Sequence, residues 1–108
     1  MQHFGQAVTD RIQNQWGGLP YQDLVLGWEY IGNNLPYVNT YRAMALGASY
    51  GGYMMNWIQG NDLGRKFKAL FTHDGVFNTL SQYASEELWF MQYHFNGTLW
   101  DNWDNYAR

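Results

Sequence analysis

A serine between closely spaced glycines is the first feature of this sequence that could do chemistry. Residues 47–51, GASYG, have the pattern G-x-S-x-G with Ser49 at its centre, and a further glycine, Gly52, follows. This pattern is typical of a sharp strand-to-helix turn that exposes a nucleophilic serine hydroxyl. Small residues also cluster in ordinary turns, so the pattern alone leaves a purely structural interpretation open.

The residues on either side of Ser49 favour the chemical interpretation. Arg42–Leu46 is a short, mostly apolar run that predicts a buried strand, and Tyr53–Gln59 predicts a helix. A turn between them would aim the serine hydroxyl out of the sheet, and the two glycines of the pattern would let strand and helix approach closely. The backbone N–H of Tyr50, at the helix start, would then be placed to donate to an oxyanion.

Other stretches predict an α/β fold in which parallel strands alternate with helices. Residues 4–16 predict a helix, and a second predicted helix starts at Pro20 and frays at residues 32–34. Phe67–Thr72 predicts a strand. A last predicted helix runs from an N-cap at Ser85 to about His94, with Glu86 and Glu87 in its first turn. Residues beyond that helix are predicted to be irregular. Two strands do not make a stable sheet with helices on both faces, so we expect further strands to come from elsewhere.

Composition limits the possible functions. Charged residues make up 14% of the 108 residues, fewer than the roughly 25% of a typical domain, and aromatic residues make up 19%. This balance predicts a surface that is partly covered, as in a segment of a larger protein. A net charge of −3 without a basic patch argues against nucleic-acid binding, and no run of about 18 apolar residues could span a membrane. The histidine spacing and the absence of cysteine predict no metal site.

Longer motifs carry a resemblance to a known family. The segments NQWGGLPYQDLVLGWEYI, GASYGGYMMNWIQG, FKALFTHDGVF and SEELWFMQYHFNGTLWD resemble the catalytic domain of the prolyl-oligopeptidase family, and within it the secreted fungal dipeptidyl peptidases of type V. The resemblance implies a partial α/β-hydrolase domain with a nucleophile elbow. It further implies a Ser-Asp-His triad, cleavage of dipeptides from free peptide N-termini, a secreted protein and no cofactor.

The resemblance also assigns roles to individual residues. It makes Ser49 the nucleophile and the Tyr50 N–H one oxyanion-hole donor, with the Tyr50 ring lining the pocket for the side chain before the scissile bond. The triad acid and histidine, the second oxyanion donor and the family's β-propeller would lie outside these residues. We therefore expect residues 1–108 to be one segment of a catalytic domain, inactive alone and dependent on the rest of the domain or on another chain.

Two other hydrolytic arrangements remain as alternatives. An esterase or lipase-like enzyme of the same fold would use the same turn around Ser49. A triad within this sequence would need Asp74 with either His73 or His94, the two histidines that follow the serine. The simpler interpretation of THDG is a turn at the end of a strand, with Asp74 bonded to the backbone.

The C-terminal region contains a modification motif and a run of aromatic residues. Asn96-Gly97-Thr98 is an N-glycosylation sequon in a glycine-containing loop. Trp100, Trp103 and Tyr106 recur every three residues among carboxylates and amides. They could stack on sugars or contact a partner, which would make the chain a non-catalytic binding fragment. The simpler expectation is that these rings pack against the rest of the hydrolase domain.

Overall fold

A pair of parallel strands with a helix between them organises the middle of the chain. The computed structural model describes residues 4–83, 85 and 88–107. The chain divides into two units: one is Pro20–Phe77, and the other combines Met1–Leu19 with Asn78–Arg108. We call them the central unit and the terminal unit and describe each by itself.

The elements confirm the predicted α/β class. Among the described residues, the helices are α1 (Gln6–Asp10), α2 (Leu19–Asn34), α3 (Tyr50–Gly60), α4 (Thr79–Gln82), α5 (Leu88–His94) and α6 (Trp103–Tyr106). The strands are β1 (Met44–Ala48) and β2 (Ala69–His73), and 3₁₀ helices at Thr40–Arg42 and Asp62–Lys66 precede each of them. β1 and β2 pair in parallel, with Met44 opposite Ala69 and Ala48 opposite His73. Parallel strands need a crossover connection, which α3 and the second 3₁₀ helix supply.

One face of the sheet packs on the core of the central unit. The buried side chains of this core come from α3 and the 3₁₀ helix after it: Met54, Met55, Ile58 and Leu63. Ala45 of β1 and Leu70 of β2 pack against them, because alternate strand residues point to the same face. α2 adds Tyr21, Val25 and Trp28 to the cluster, and the Trp28 ring lies 4.7 Å from that of Phe67.

The opposite face of the sheet is apolar and exposed. Met44 and Leu46 of β1 are 67% and 69% exposed, and Phe71 of β2 is 57% exposed. Leu46 and Phe71 are opposite each other in the register, so they form one patch. We call these three side chains the open sheet face.

The terminal unit has its own core, in which the two ends of the chain meet. Its buried apolar side chains are Ile12, Trp16, Met91, Phe95 and Tyr106. The predicted helix over residues 4–16 is wrong beyond Asp10. Asn14 adopts φ 55°, which a right-handed helix excludes, and its N–H donates to the His94 carbonyl at 2.9 Å. The turn thus exchanges helical hydrogen bonds for a bond to α5.

Several predicted boundaries also shift. β1 begins at Met44 rather than Arg42 because the Asn39 side chain accepts a hydrogen bond from the Tyr41 N–H and starts a 3₁₀ turn. β2 begins at Ala69 instead of Phe67, α3 begins at Tyr50, and α2 begins one residue before Pro20 and runs to Asn34. The tail predicted to be irregular contains the single turn α6.

The predicted helix cap before α5 falls partly outside the described residues, since Glu86 and Glu87 are not among them. Ser85 is described, and its hydroxyl donates to the Gln82 carbonyl at 2.8 Å. This hydrogen bond belongs to the turn after α4.

Candidate active site around Ser49

Ser49 lies between the end of β1 and the first residue of α3, as the sequence predicts. Its backbone has φ 55° and ψ −120°, a combination that L-amino acids rarely adopt and that costs about 1–3 kcal/mol. Two hydrogen bonds hold this conformation. The Ser49 N–H donates to the His73 carbonyl at 3.1 Å, and the Ser49 carbonyl accepts from the Tyr53 N–H at 3.0 Å.

The Ser49 side chain is not used to hold the turn. The residue is exposed, and its hydroxyl does not cap α3. Serine at a helix start usually accepts a hydrogen bond from the first turn of the helix. Here the hydroxyl makes no such bond, and the chain supports an exposed serine with a strained backbone.

Glycines allow the close approach that this turn requires, but not all those predicted. A Cβ at Gly47 would collide with the carbonyl of Gly51, which confirms the prediction for Gly47. A Cβ at Gly51 itself would have no neighbour within 4 Å, so the predicted steric need there is wrong. The second close approach is at Gly52, where a Cβ would lie 2.5 Å from the Gly75 Cα.

The contact between Gly52 and Gly75 joins the first turn of α3 to the end of β2. The Thr72 hydroxyl lies beside it, 3.3 Å from the Gly52 carbonyl oxygen and 3.2 Å from Asn56 Oδ1. Neither Gly75 nor Thr72 was predicted from the sequence to contribute to the site. The sequence did carry a signal for Thr72. It lies two residues after Leu70 in the same strand, so its side chain is on the face of the sheet that packs on the core.

Tyr50 is the first residue of α3 and its side chain is partly buried. The N–H groups of the first helical turn have no acceptor within the helix, so the Tyr50 N–H is suited to bind an anion. Its ring lies 5.7 Å from that of Tyr53. Burial, with the neighbouring Tyr53 as a smaller cause, raises the pKa of the Tyr50 hydroxyl above its usual range. The phenol is therefore neutral at physiological pH.

Within the central unit, His73 and Asp74 do not form a triad with Ser49 in the described residues. His73 and Asp74 are exposed at the end of β2, and Asp74 has φ 47°, as expected for a strand-end turn. His73 touches Ser49 through its backbone carbonyl. Among the described residues of the central unit, no hydrogen bond joins the Ser49 hydroxyl to the His73 imidazole or the Asp74 carboxylate.

His94 has a structural environment in the terminal unit. Its Nδ1 accepts a hydrogen bond from the Trp16 indole N–H at 3.2 Å, and its ring packs on Phe90 with centroids 4.4 Å apart. Burial lowers the pKa of His94. A neutral imidazole whose Nδ1 already accepts a hydrogen bond serves here to tie α5 to the segment before α2.

The sequon is exposed and structurally defined. Asn96 has φ 58° and follows α5 in the left-handed position of a Schellman turn, in which the Gly97 N–H donates to the Gln92 carbonyl at 2.8 Å. The Asn96 carbonyl accepts from Asn102 Nδ2, and the Thr98 hydroxyl donates to Asp101 at 2.6 Å. The Asn96 residue remains exposed, as a modified asparagine must be.

The three aromatic residues of the C-terminal tail do not form one binding face. Tyr106 is 1% exposed and belongs to the core of the terminal unit, so it cannot stack on a sugar. Trp100 and Trp103 are 79% and 55% exposed, and they border a cavity of about 370 Å³ lined by residues 100–105. The predicted row of three rings is wrong in this respect.

Within residues 4–83, 85 and 88–107, no group of three or more histidine, aspartate or glutamate side chains could hold a metal ion. The helices of the same residues include none with the length and apolar character needed to cross a bilayer.

Comparison with known proteins identifies the family. Residues 1–108 match the model of the prolyl oligopeptidase family. The chain is 62% identical over 105 residues to the dipeptidyl-peptidase 5 of Aspergillus oryzae and 64% identical over 105 residues to that of Aspergillus fumigatus. These matches cover 97% of this chain but only 14% and 15% of the two relatives. The parallel strands and their helices are compatible with part of the α/β-hydrolase fold of that family, and the chain belongs to the prolyl oligopeptidase family.

Proposed function

We propose that these residues form part of a serine exopeptidase that releases dipeptides from peptide N-termini, with Ser49 as its nucleophile. The observation that carries the proposal is the Ser49 turn, whose strained backbone is held by His73 and Tyr53 while its hydroxyl is exposed. The names of the relatives support the substrate class, since both are dipeptidyl-peptidases.

This geometry supports an acyl-enzyme mechanism. Ser49 Oγ attacks the carbonyl carbon of the second substrate residue and gives its proton to a histidine base. The Tyr50 N–H donates to the oxyanion of the tetrahedral intermediate. The intermediate collapses when the base protonates the leaving amine, which leaves an acyl-enzyme. Water, deprotonated by the same base, then attacks the acyl-enzyme and releases the dipeptide. The Tyr50 ring would line the pocket for the residue before the scissile bond.

The same geometry supports the proposal that these 108 residues are inactive alone. A serine nucleophile needs a base within hydrogen-bond reach. In the described residues of the central unit, His73 meets Ser49 through its backbone carbonyl and not through its imidazole. In the terminal unit, the Nδ1 of His94 already accepts the Trp16 indole N–H. The triad acid and histidine, the second oxyanion donor and the propeller would be supplied by other parts of the protein. The relatives are about seven times as long as this chain, which leaves ample room for them.

Labelling with a fluorophosphonate probe tests the nucleophile. We expect the full-length protein to be labelled at Ser49, and the 108-residue chain not to be labelled. Ser49→Ala should abolish labelling, while Ser81→Ala, which removes another exposed serine hydroxyl, should leave it unchanged. Stoichiometric labelling of the short chain at Ser49 would refute its inactivity, and an unlabelled Ser49 in the full-length protein would refute the nucleophile.

Substrate choice distinguishes an exopeptidase from an esterase. We expect the full-length protein to cleave dipeptide amides that have a free N-terminus and to cleave the same amides poorly when the N-terminus is acetylated. Turnover of short-chain esters without turnover of any dipeptide amide would replace the peptidase assignment with that of an esterase on the same turn.

We also propose that the protein is secreted and carries a glycan on Asn96. The exposed asparagine of the sequon supports the modification. Secreted protein from a fungal host should lose glycan mass at Asn96 on treatment with an endoglycosidase. Asn96→Gly should remove this glycan while preserving the turn, because glycine also adopts the positive φ of 58°. Thr98→Ser, which keeps the sequon, should retain the glycan; an unmodified Asn96 in secreted protein would refute the proposal.

A further inference from the structure

The first turn of α3 is attached to the end of β2 by three local contacts. The Ser49 N–H donates to the His73 carbonyl, the Gly52 backbone abuts Gly75, and the Thr72 hydroxyl donates toward the Gly52 carbonyl oxygen. The first two contacts are made by the backbone. The third, among the described contacts near Ser49, is made by a side chain, that of Thr72.

Thr72 is well placed to act on the reactive residues through this turn. Gly52 is three residues after Ser49 and two after Tyr50, so its carbonyl belongs to the same helical turn that presents the hydroxyl and the oxyanion donor. A shift of this turn would move both groups relative to the substrate. Small displacements of reacting groups lower rates strongly, because catalysis depends on their alignment.

We propose that Thr72 is a positioning residue whose hydroxyl holds the first turn of α3, and with it Ser49 and the Tyr50 N–H, in the reactive geometry. The inference rests on the proposed function of Ser49. Thr72 itself is exposed, and its hydroxyl has two acceptors within reach, the Gly52 carbonyl and Asn56 Oδ1. The bond to the Gly52 carbonyl is the one assigned to positioning.

Two substitutions separate the hydroxyl of Thr72 from its methyl group. Thr72→Val keeps the shape and removes the donor, whereas Thr72→Ser keeps the donor and removes the methyl group that borders Gly75. In the full-length protein we expect Thr72→Val to lower kcat by about 3- to 10-fold, the effect of one neutral hydrogen bond, with KM unchanged. Thr72→Ser should have the wild-type kcat.

Matched controls isolate the Gly52 bond. Thr9→Val removes a hydroxyl-to-carbonyl hydrogen bond of similar length, 3.2 Å to the Gly5 carbonyl, in α1, and should leave kcat unchanged. Asn56→Ala removes the second acceptor and should also leave kcat unchanged, because the hydroxyl then donates to the Gly52 carbonyl alone. Loss of activity in Asn56→Ala equal to that in Thr72→Val would overturn the assignment to Gly52.

The rate of fluorophosphonate labelling at Ser49 gives a second readout that does not depend on the substrate. Thr72→Val should slow labelling by a factor similar to its loss in kcat, at an unchanged Tm. Wild-type labelling in Thr72→Val, or slow labelling in Thr72→Ser, overturns the proposal. The serine variant decides the matter if the valine variant does not fold.

The same measurements separate this proposal from the proposed function. Normal labelling of the wild-type protein without dipeptide hydrolysis refutes only the substrate class. An unlabelled wild-type Ser49 refutes the nucleophile and the positioning role together.

Discussion

At Ser49 the strain lies in the backbone, and the hydroxyl does not cap α3. A φ of 55° with ψ −120° is unfavourable for serine, so neighbouring residues must hold it. The hydrogen bonds to His73 and Tyr53 do so from both sides of the residue. Close contact at Gly47 and Gly52 then lets β1, α3 and the end of β2 meet without intervening side chains.

The glycine at position 52 offers a stability test at the scale of one residue. Alanine normally stabilises a helix relative to glycine by about 0.5–1 kcal/mol. At Gly52 we expect the reverse, a loss of about 1–3 kcal/mol in the free energy of unfolding, since the new Cβ would lie 2.5 Å from the Gly75 Cα and backbone must move. Chemical denaturation of the full-length protein measures the difference.

Gly60→Ala is the matched control in the same helix, because a Cβ there has no neighbour within 4 Å. It should leave stability unchanged or raise it slightly. Equal stability of the Gly52→Ala and Gly60→Ala proteins would contradict the close contact at Gly52.

These residues show which part of the site can be predicted from the sequence. The G-x-S-x-G pattern predicts the turn and the place of Ser49 and Tyr50, because it is local. It cannot show that Gly52 is sterically required, since that depends on Gly75, more than twenty residues later, whereas a Cβ at Gly51 would have no neighbour within 4 Å. Thr72 was missed for the same reason.

At the scale of elements, α5 and the turn that carries Asn14 and Trp16 are joined through one histidine. The His94 carbonyl accepts from the Asn14 N–H, and its Nδ1 accepts from the Trp16 indole. The repeat of apolar residues from Phe4 to Trp16 predicted one helix. The helix ends before Asn14, because the Asn14 N–H bonds to the His94 carbonyl instead of to a helical carbonyl. A local sequence pattern cannot predict a hydrogen-bond partner eighty residues away.

The His94 contact predicts a dependence of stability on pH. Burial lowers the pKa of His94 in the folded protein below its unfolded value of about 6.5, so the unfolded chain takes up the proton more readily. The stabilisation is fully present above about pH 6.5 and decreases as the pH falls through that value toward the folded pKa. An imidazolium also cannot accept the Trp16 hydrogen bond at Nδ1.

His94→Asn should flatten this dependence, because the Asn Oδ1 can accept the indole N–H at any pH. The change of stability with pH is measured from the denaturation midpoints of the two full-length proteins. The pH is varied from about 7.5 to about 5, a range that includes the reference pKa of histidine. The same slope in both proteins would show that His94 does not contribute to the acid sensitivity.

At the scale of the whole molecule, the low charge content predicted a surface that other parts of the protein cover. The open sheet face is one of the exposed apolar surfaces that such a cover could bury. Met44, Leu46 and Phe71 are each more than half exposed, on a sheet that has two strands in the described part of the chain. Parallel sheets are normally covered on both faces. The sequence could predict that some surface is covered, but not which one, because the exposure of a strand face depends on which elements pack on it.

The open sheet face should make the isolated chain and the full-length protein respond oppositely to the same substitutions. We expect the isolated 108 residues to self-associate and to unfold without a cooperative transition, since few contacts bury this face. Leu46→Lys with Phe71→Lys should reduce that self-association, as measured by sedimentation. In the full-length protein the pair should lower the free energy of unfolding by about 3 kcal/mol or more, because charge would replace buried apolar surface.

A second pair of substitutions separates this face from exposed aromatic surface in general. Tyr37→Lys with Tyr41→Lys changes two side chains that are 81% and 84% exposed and lie outside both strands. This pair should leave the stability of the full-length protein within about 0.5 kcal/mol, as for ordinary surface positions. If instead the Leu46 and Phe71 pair were equally harmless there, the sheet face would be solvent-exposed in the whole protein, and the low charge content would need another explanation.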